Sequence, residues 1–377
     1  MKRALVVAAA LTASALLCAE ARAQSRRWTT VTGQTFEAEF VRVEGENGIF
    51  RVASGREDPY PLNRLSVADR LLIGRTMHAQ GGATAAPAAS ASIAAAPAAA
   101  TPAATVAPTK SAGGGALEFA GQALTAGGSS VVEIEVSDPA QLKELKQAYG
   151  KASTRAKMLI ALPSGFTPGP RNYPLLIVSS TTDGDASSIG SARANYLPDA
   201  TEKGFVVIAI DGEHGKPADQ GHDSTDFRWA LVQAGLAALY KEWPNAKKWP
   251  IATAGISGGA GYASHQAMLL LDKQYPVIGL LLSATGWTPG DFPDVTRRAP
   301  RAAIRTLPVF FTAGEKDNVA TPEITQKAQG ELTGSGFKNV RFEKFDGGHV
   351  LHRPHLQQAL EWFVAEYKKS AGGASVL

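Results

Sequence analysis

Ile251-Ala252-Thr253-Ala254-Gly255-Ile256-Ser257-Gly258-Gly259-Ala260 runs directly into Gly261-Tyr262-Ala263-Ser264-His265-Gln266-Ala267-Met268-Leu269-Leu270-Leu271. Residues 251–254 form a short apolar run of strand type, and 260–271 form a helical stretch. The turn between them matches glycine-x-serine-x-glycine. By composition alone such a pattern is expected about 0.25 times in a chain of this length. Its setting gives it meaning: a serine on a sharp strand-to-helix turn is strained and exposed at the edge of a sheet. Glycines two residues to either side let strand and helix approach closely. The bland reading is a glycine-rich turn with an incidental serine.

The alternation continues outward in both directions. Apolar runs at 158–162, 175–178, 205–210, 277–282 and 307–311, with further strands at 131–136 and 340–345, are separated by helical stretches near 191–203, 226–242, 259–272, 321–334 and 355–369. Short apolar strands alternating with helices predict an α/β domain over 116–377, a mostly parallel sheet covered on both faces.

A serine hydroxyl is a poor nucleophile until a base takes its proton. The base is expected after the last strand, where Gly347-Gly348-His349 follows 340–345. His352 and His355 continue at intervals of three, but Pro354 interrupts any helix presenting all three, so no metal site is expected. His265 falls inside the helix after the turn, and His214 and His222 in a loop after 205–210. The acid that orients the histidine is expected after 307–311, where Asp317 is preferred and Glu315 is the rival.

The ordered pieces Gly255-Ile256-Ser257-Gly258-Gly259-Ala260, Gly314-Glu315-Lys316-Asp317 and Gly347-Gly348-His349 resemble the α/β-hydrolase superfamily over 157–370, nearer to secreted carboxylesterases and polymer-ester depolymerases than to lipases with large lids. The resemblance implies an α/β-hydrolase fold, a Ser257, Asp317, His349 triad, acyl transfer to water and no cofactor. It also implies an oxyanion hole from the Gly258 amide and a second amide. Many relatives carry His-Gly after the third strand, whereas this chain has Ser179-Ser180-Thr181-Thr182-Asp183-Gly184, so Thr181 is the expected second donor. Asp183 and Asp185 disfavour anionic groups near the acyl carbonyl. Trp287 and Phe292 are expected to shape the mouth, as substrate contacts or as core. The alternatives are a peptidase of the prolyl-oligopeptidase type and a non-catalytic exported binding protein.

Lys2 and Arg3, the apolar stretch 4–17 and Ala21-Arg22-Ala23 read as a signal peptide over 1–23, so an exported protein is expected. Cys18 is the single cysteine, which leaves no disulfide after cleavage. The formal charge is +4, half of it in those first residues, and no basic stripe supports nucleic-acid binding. No later run is long and apolar enough to span a membrane.

Residues 26–75 form a small β unit. Its strand over 35–43 switches apolar face near Phe40, as a bulge would cause, and Ser66 with Asp69 opens a short helix. Arg27-Trp28-Thr29, Gly33, Phe36-Glu37-Ala38, Gly55-Arg56, Pro61-Leu62, Arg64-Leu65-Ser66 and Asp69-Arg70 resemble the SH3-like homology module of an endocytic adaptor. The resemblance implies a small β-barrel and a protein or surface partner. Residues 76–115, rich in Ala, Pro, Thr, Ser and Gly, read as a linker without apolar residues enough to fold.

A coil over 79–115 spans roughly 30–37 Å, too loose a tether to hold a catalytic group in register. A chain beginning near Gly115 should therefore keep its turnover of a small soluble ester. A well-folded but inactive shortened chain would show that the two units depend on each other.

Overall fold

The computed structural model describes residues 25–30, 35–44, 47–65, 73, 117–181, 186–215, 217 and 224–370. The signal-peptide segment, the helix opened by Ser66 and the linker fall outside them. The chain divides into two compact units, Met1–Ala89 and Ser90–Leu377.

In the first unit, β1 (Arg26–Thr29), β2 (Thr35–Glu44), β3 (Asn47–Arg51) and β4 (Glu57–Pro61) form an antiparallel sheet in that order. The β2–β3 register shifts between Phe40 and Arg42, which is the bulge expected from the change of apolar face. Trp28, Ala38, Phe40, Phe50, Leu65 and Ile73 form its core. Trp28 donates its indole N–H to the Ala38 carbonyl at 2.8 Å, so the ring is buried without an orphaned donor.

The second unit begins with the hairpin β5 (Leu117–Phe119) and β6 (Gln122–Leu124). Its main sheet comprises β7 (Ser129–Glu135), β8 (Arg155–Ala161), β9 (Leu175–Ser179), β10 (Val206–Gly212), β11 (Ile251–Ile256), β12 (Val277–Ser283), β13 (Val309–Gly314) and β14 (Val340–Phe345). The order is β14-β13-β12-β11-β9-β10-β8-β7. Only the β8 pairings with β7 and β10 are antiparallel. This mostly parallel sheet is consistent with the fold that the hydrolase resemblance implies.

The helices are α1 (Pro139–Tyr149), α2 (Ser188–Ser191), α3 (Asp199–Glu202), α4 (Thr225–Glu242), α5 (Gly258–Asp272), α6 (Pro293–Thr296), α7 (Arg301–Thr306), α8 (Pro322–Gly334) and α9 (Arg353–Ser370). Two cores sit on opposite faces, and the strands feed them alternately. Met158, Ile160, Leu175, Ile177, Val309 and Phe311 enter one. Leu159, Ala161, Leu176, Val178 and Phe310 enter the other, beneath Leu356, Leu360 and Phe363 of α9. Burial on both faces is why these strands read as unbroken apolar runs.

The single helix expected near 191–203 is corrected. It breaks into α2, a wider π turn at Ala192–Tyr196, and α3. Pro198 explains the break, because a proline disfavours helical backbone at the residue before it. Leu197 is accordingly extended, at ψ 144°. Among the described residues no helix is long and apolar enough to cross a membrane.

Replacing a buried Trp by Ala typically costs about 3–5 kcal/mol, a large share of what a unit this small can hold. Trp28→Ala should therefore open the first unit. Limited proteolysis of the full chain should show new cleavage within 26–65 under conditions that leave the parent intact.

Candidate active site

The carboxyl ends of β9, β11, β13 and β14 carry the expected residues. Ser257 follows β11 with φ 55° and ψ −127°, a backbone that residues with a Cβ rarely adopt. The glycines around it are required by contact. A Cβ on Gly255 would lie 2.1 Å from the Gly259 carbonyl oxygen, and one on Gly259 would lie 2.5 Å from that of Ser179. The Ser257 amide donates to the Ser283 carbonyl at 2.9 Å, which ties the turn to β12. Although Ser257 stands at the N-cap of α5, its side chain caps no amide. The hydroxyl is left for other chemistry.

Asp317 is 4% exposed. One carboxylate oxygen accepts the Val319 and Ala320 amides at 2.8 and 3.0 Å, and the other meets His349 Nδ1 at 2.9 Å. An ionised carboxylate only accepts, so Nδ1 carries the proton and Nε2 is the basic nitrogen of the ring. Glu315, the rival acid, is exposed at the surface.

The His349 loop is fixed against the acid loop by backbone. Glu315 and Lys316 donate to the Phe345 and Gly347 carbonyls, each at 2.8 Å. Ser283 links the Ser257 turn to the His349 loop. Its carbonyl holds the Ser257 amide, and its hydroxyl donates to the carbonyl of Val350, next to His349, at 3.4 Å.

Gly258 and Thr181 are brought together. A Cβ on Gly258 would lie 2.9 Å from Thr181 Oγ1 and 3.6 Å from its Cα. The first amide of α5 and the backbone after β9 thus border one space, at the positive end of a helix dipole. Asp183 and Asp185 lie outside the described residues. Trp287 is half-buried, its ring against Gly261. Phe292 is in the interior, 5% exposed, with its ring centroid 5.1 Å from that of His265.

The other described histidines pack against their neighbours. His355 Nδ1 pairs with Thr312 Oγ1 at 2.7 Å, and His352 stacks on Phe345 at 4.5 Å. His214 packs on Tyr149, and His222 lies outside the described residues. Among the described residues no group of three metal-binding side chains could hold an ion.

Arg228 escapes a motif search. It is 6% exposed on α4, 3.5 Å from Ser180 Oγ and 3.1 Å from Ser188 Oγ, with its guanidinium over Tyr262. The only sequence signal is a charge inside the apolar run Phe227 to Val232.

No family model and no curated protein matches the chain. Among solved structures it is similar to acyl-protein thioesterase 2 of Zea mays, with 18% identity and TM-score 0.40 over 56% of this chain and 98% of that one. An α/β serine hydrolase without a lid from Xanthomonas campestris aligns at 16% identity and TM-score 0.42, over 65% and 97%. A Bacillus cereus carboxylesterase aligns at 20% and 0.39, over 56% and 94%. At identities and TM-scores this low the activities of those proteins do not transfer, and the chemistry must be read from this chain's own side chains.

Burial, helped by the Arg298 charge, depresses the His265 pKa to about 4. His265 is therefore neutral in the fold and protonates more readily unfolded. Its stabilisation is complete above about 6.5, the ordinary histidine value, and is lost as pH falls toward about 4. The full effect is roughly 3 kcal/mol. His265 Nδ1 has no hydrogen-bond partner. His265→Leu should thus cost little at pH 8 and flatten the decline of Tm between pH 6.5 and 4; an unchanged decline would place the acid sensitivity elsewhere.

Proposed function

We propose that the second unit is a serine hydrolase that cleaves carboxylic esters through an acyl-enzyme. The carrying observation is the pairing of His349 with the buried Asp317, its loop linked through Ser283 to the strained turn of Ser257. Adjacent strands lie about 4.8 Å apart, so a serine after β11 and a histidine after β14 meet only if the histidine loop folds back over the sheet edge. The Gly347 and Val350 contacts support that path.

In this reading His349 Nε2 takes the Ser257 proton as the oxygen attacks the ester carbonyl. Asp317 holds the tautomer and stabilises the imidazolium. The Gly258 amide, with that of Thr181, faces the developing oxyanion, a kind of contact worth about 2.7–4 kcal/mol per donor. The imidazolium protonates the leaving alkoxide. Water then attacks the acyl-enzyme with His349 as base, and Ser257 is restored. Export belongs to the same proposal, on the residues of 1–23. So does an SH3-like reading of the first unit, supported by the bridge joining Thr30 to Leu65 beyond β4.

Ser257→Ala should lower kcat on short-chain p-nitrophenyl esters by on the order of 10⁶, with circular dichroism unchanged, and should abolish labelling by a fluorophosphonate. Residual activity within tenfold of the parent would refute the assignment. A parent chain that neither labels nor turns over an ester would favour a binding protein.

The rate should also fall on the acid side as the base is protonated. Chelators should leave it unchanged; inhibition by a chelator that added metal reverses would overturn the metal-free mechanism.

A further inference from the structure

We propose that Arg228 is a positioning residue that sets the second oxyanion donor, a role that rests on the hydrolase reading above. A guanidinium cannot shed its proton, so a buried arginine carries its full charge and must be surrounded by acceptors. Arg228 is 6% exposed. One nitrogen reaches Ser188 Oγ at 3.1 Å and Ser180 Oγ at 3.5 Å, while the guanidinium carbon lies 5.2 Å from the centre of the Tyr262 ring.

Those partners belong to three different elements. Ser180 is the residue after β9, Ser188 opens α2, and Tyr262 lies on the second turn of α5. Each is fixed independently. The Ser188 and Ile189 amides donate to the Asp211 carboxylate at 2.8 and 3.1 Å. Tyr262 is buried on the helix that begins at the proposed nucleophile. On the strand side, Ser179 Oγ donates to Gln266 Oε1 of the same helix at 2.9 Å. Arg228 therefore joins the start of the loop at Ser180 to two rigid supports.

The next residue is Thr181. Its Cα lies 3.6 Å from where a Cβ on Gly258 would stand, and the Ser180 carbonyl carbon lies 2.9 Å from where one on Gly259 would. The backbone from Ser180 to Thr181 thus lies against the first turn of α5, and a small movement at Ser180 carries the Thr181 amide with it. An oxyanion donor is effective only when held at hydrogen-bond distance from the oxyanion. This chain lacks the His-Gly that many relatives carry here, and the arginine supplies a tether from another helix.

The arginine also lines a cavity of about 280 Å³, with Lys157, Asp211, Phe227 and Leu231 among its walls. Direct contact with substrate is therefore the competing role, and kinetics separate the two. A positioning residue acts in the transition state and moves kcat; a substrate contact moves KM.

The test compares Arg228→Gln, Arg228→Lys and Ser188→Ala with the parent full-length chain on p-nitrophenyl acetate and butyrate. Fluorophosphonate labelling rate and Tm are measured alongside. Arg228→Gln should lower kcat about 100-fold with KM within threefold, and labelling should slow in parallel. Arg228→Lys keeps the charge but loses the flat guanidinium over Tyr262, so it should recover part of kcat. Ser188→Ala removes one anchor and should fall between Arg228→Lys and the parent, which keeps the proposal testable if Arg228→Gln fails to fold. Raised KM with kcat unchanged would assign Arg228 to substrate and overturn the proposal. Unchanged kinetics in an active enzyme would overturn it while leaving the hydrolase reading intact. A parent that neither labels nor hydrolyses ester would overturn both.

Discussion

The backbone of Ser257 is the constraint on which the rest of the site depends. At φ 55° and ψ −127° an L-residue is strained by about 1–3 kcal/mol. That conformation persists because the turn is held from both sides. On one side the Ser257 amide is bound to the Ser283 carbonyl, and on the other Gly259 lies against the end of β9. Both neighbours are available because β11 sits between β9 and β12 in the sheet. An edge strand would supply only one. The central position of β11 and the strain at its end are therefore one feature, and the loops after β9, β13 and β14 are arranged around it.

The loops that meet the turn are held by buried charge. Asp317 accepts from two amides and an imidazole N–H, so its orientation is over-determined. The His349 loop is held at its entry by backbone bonds to the acid loop. Beyond its exit, the start of α9 is anchored where Arg353 and Gln357 bind the buried Asp199 carboxylate of α3. Leaving either carboxylate unpaired would cost several kcal/mol. The histidine is thus confined without contributing any regular structure of its own.

How much of this the sequence discloses follows from the range of each interaction. Ser257, Asp317 and His349 are legible because each lies in a short segment whose neighbours are forced: glycines at the turn, and strand ends before the other two. The two-faced burial of the sheet is legible because it makes apolar runs. Helix α1 carries its caps in plain view, Asp138 accepting the Ala140 amide and Gly150 at φ 66°, and it buries Gln141, Leu145 and Ala148 at helical spacing, yet it lies outside the helical stretches expected from the strand–helix alternation. The break in 191–203 follows from Pro198, which an apolar pattern alone does not weigh. Arg228 has no local signature at all. Its partners Ser180 and Ser188 are 48 and 40 residues away, and neither serine is distinctive in a chain with many.

Two packed histidines on different helices tie the stability of this arrangement to pH. His349 is partly open to solvent, its side chain 22% exposed. His265 is closed in the interior against Phe292, and burial disfavours its charged form. To take up a proton it must first be uncovered by local or global opening of α5, an event governed by the stability of that helix. His355, on α9 and partly buried, is depressed to about 4 for the same reason, with the neighbouring His352 charge adding to it. The two helices lead away from Ser257 and from His349. A loss of stability in mild acid therefore reports opening of the helices that follow Ser257 and His349.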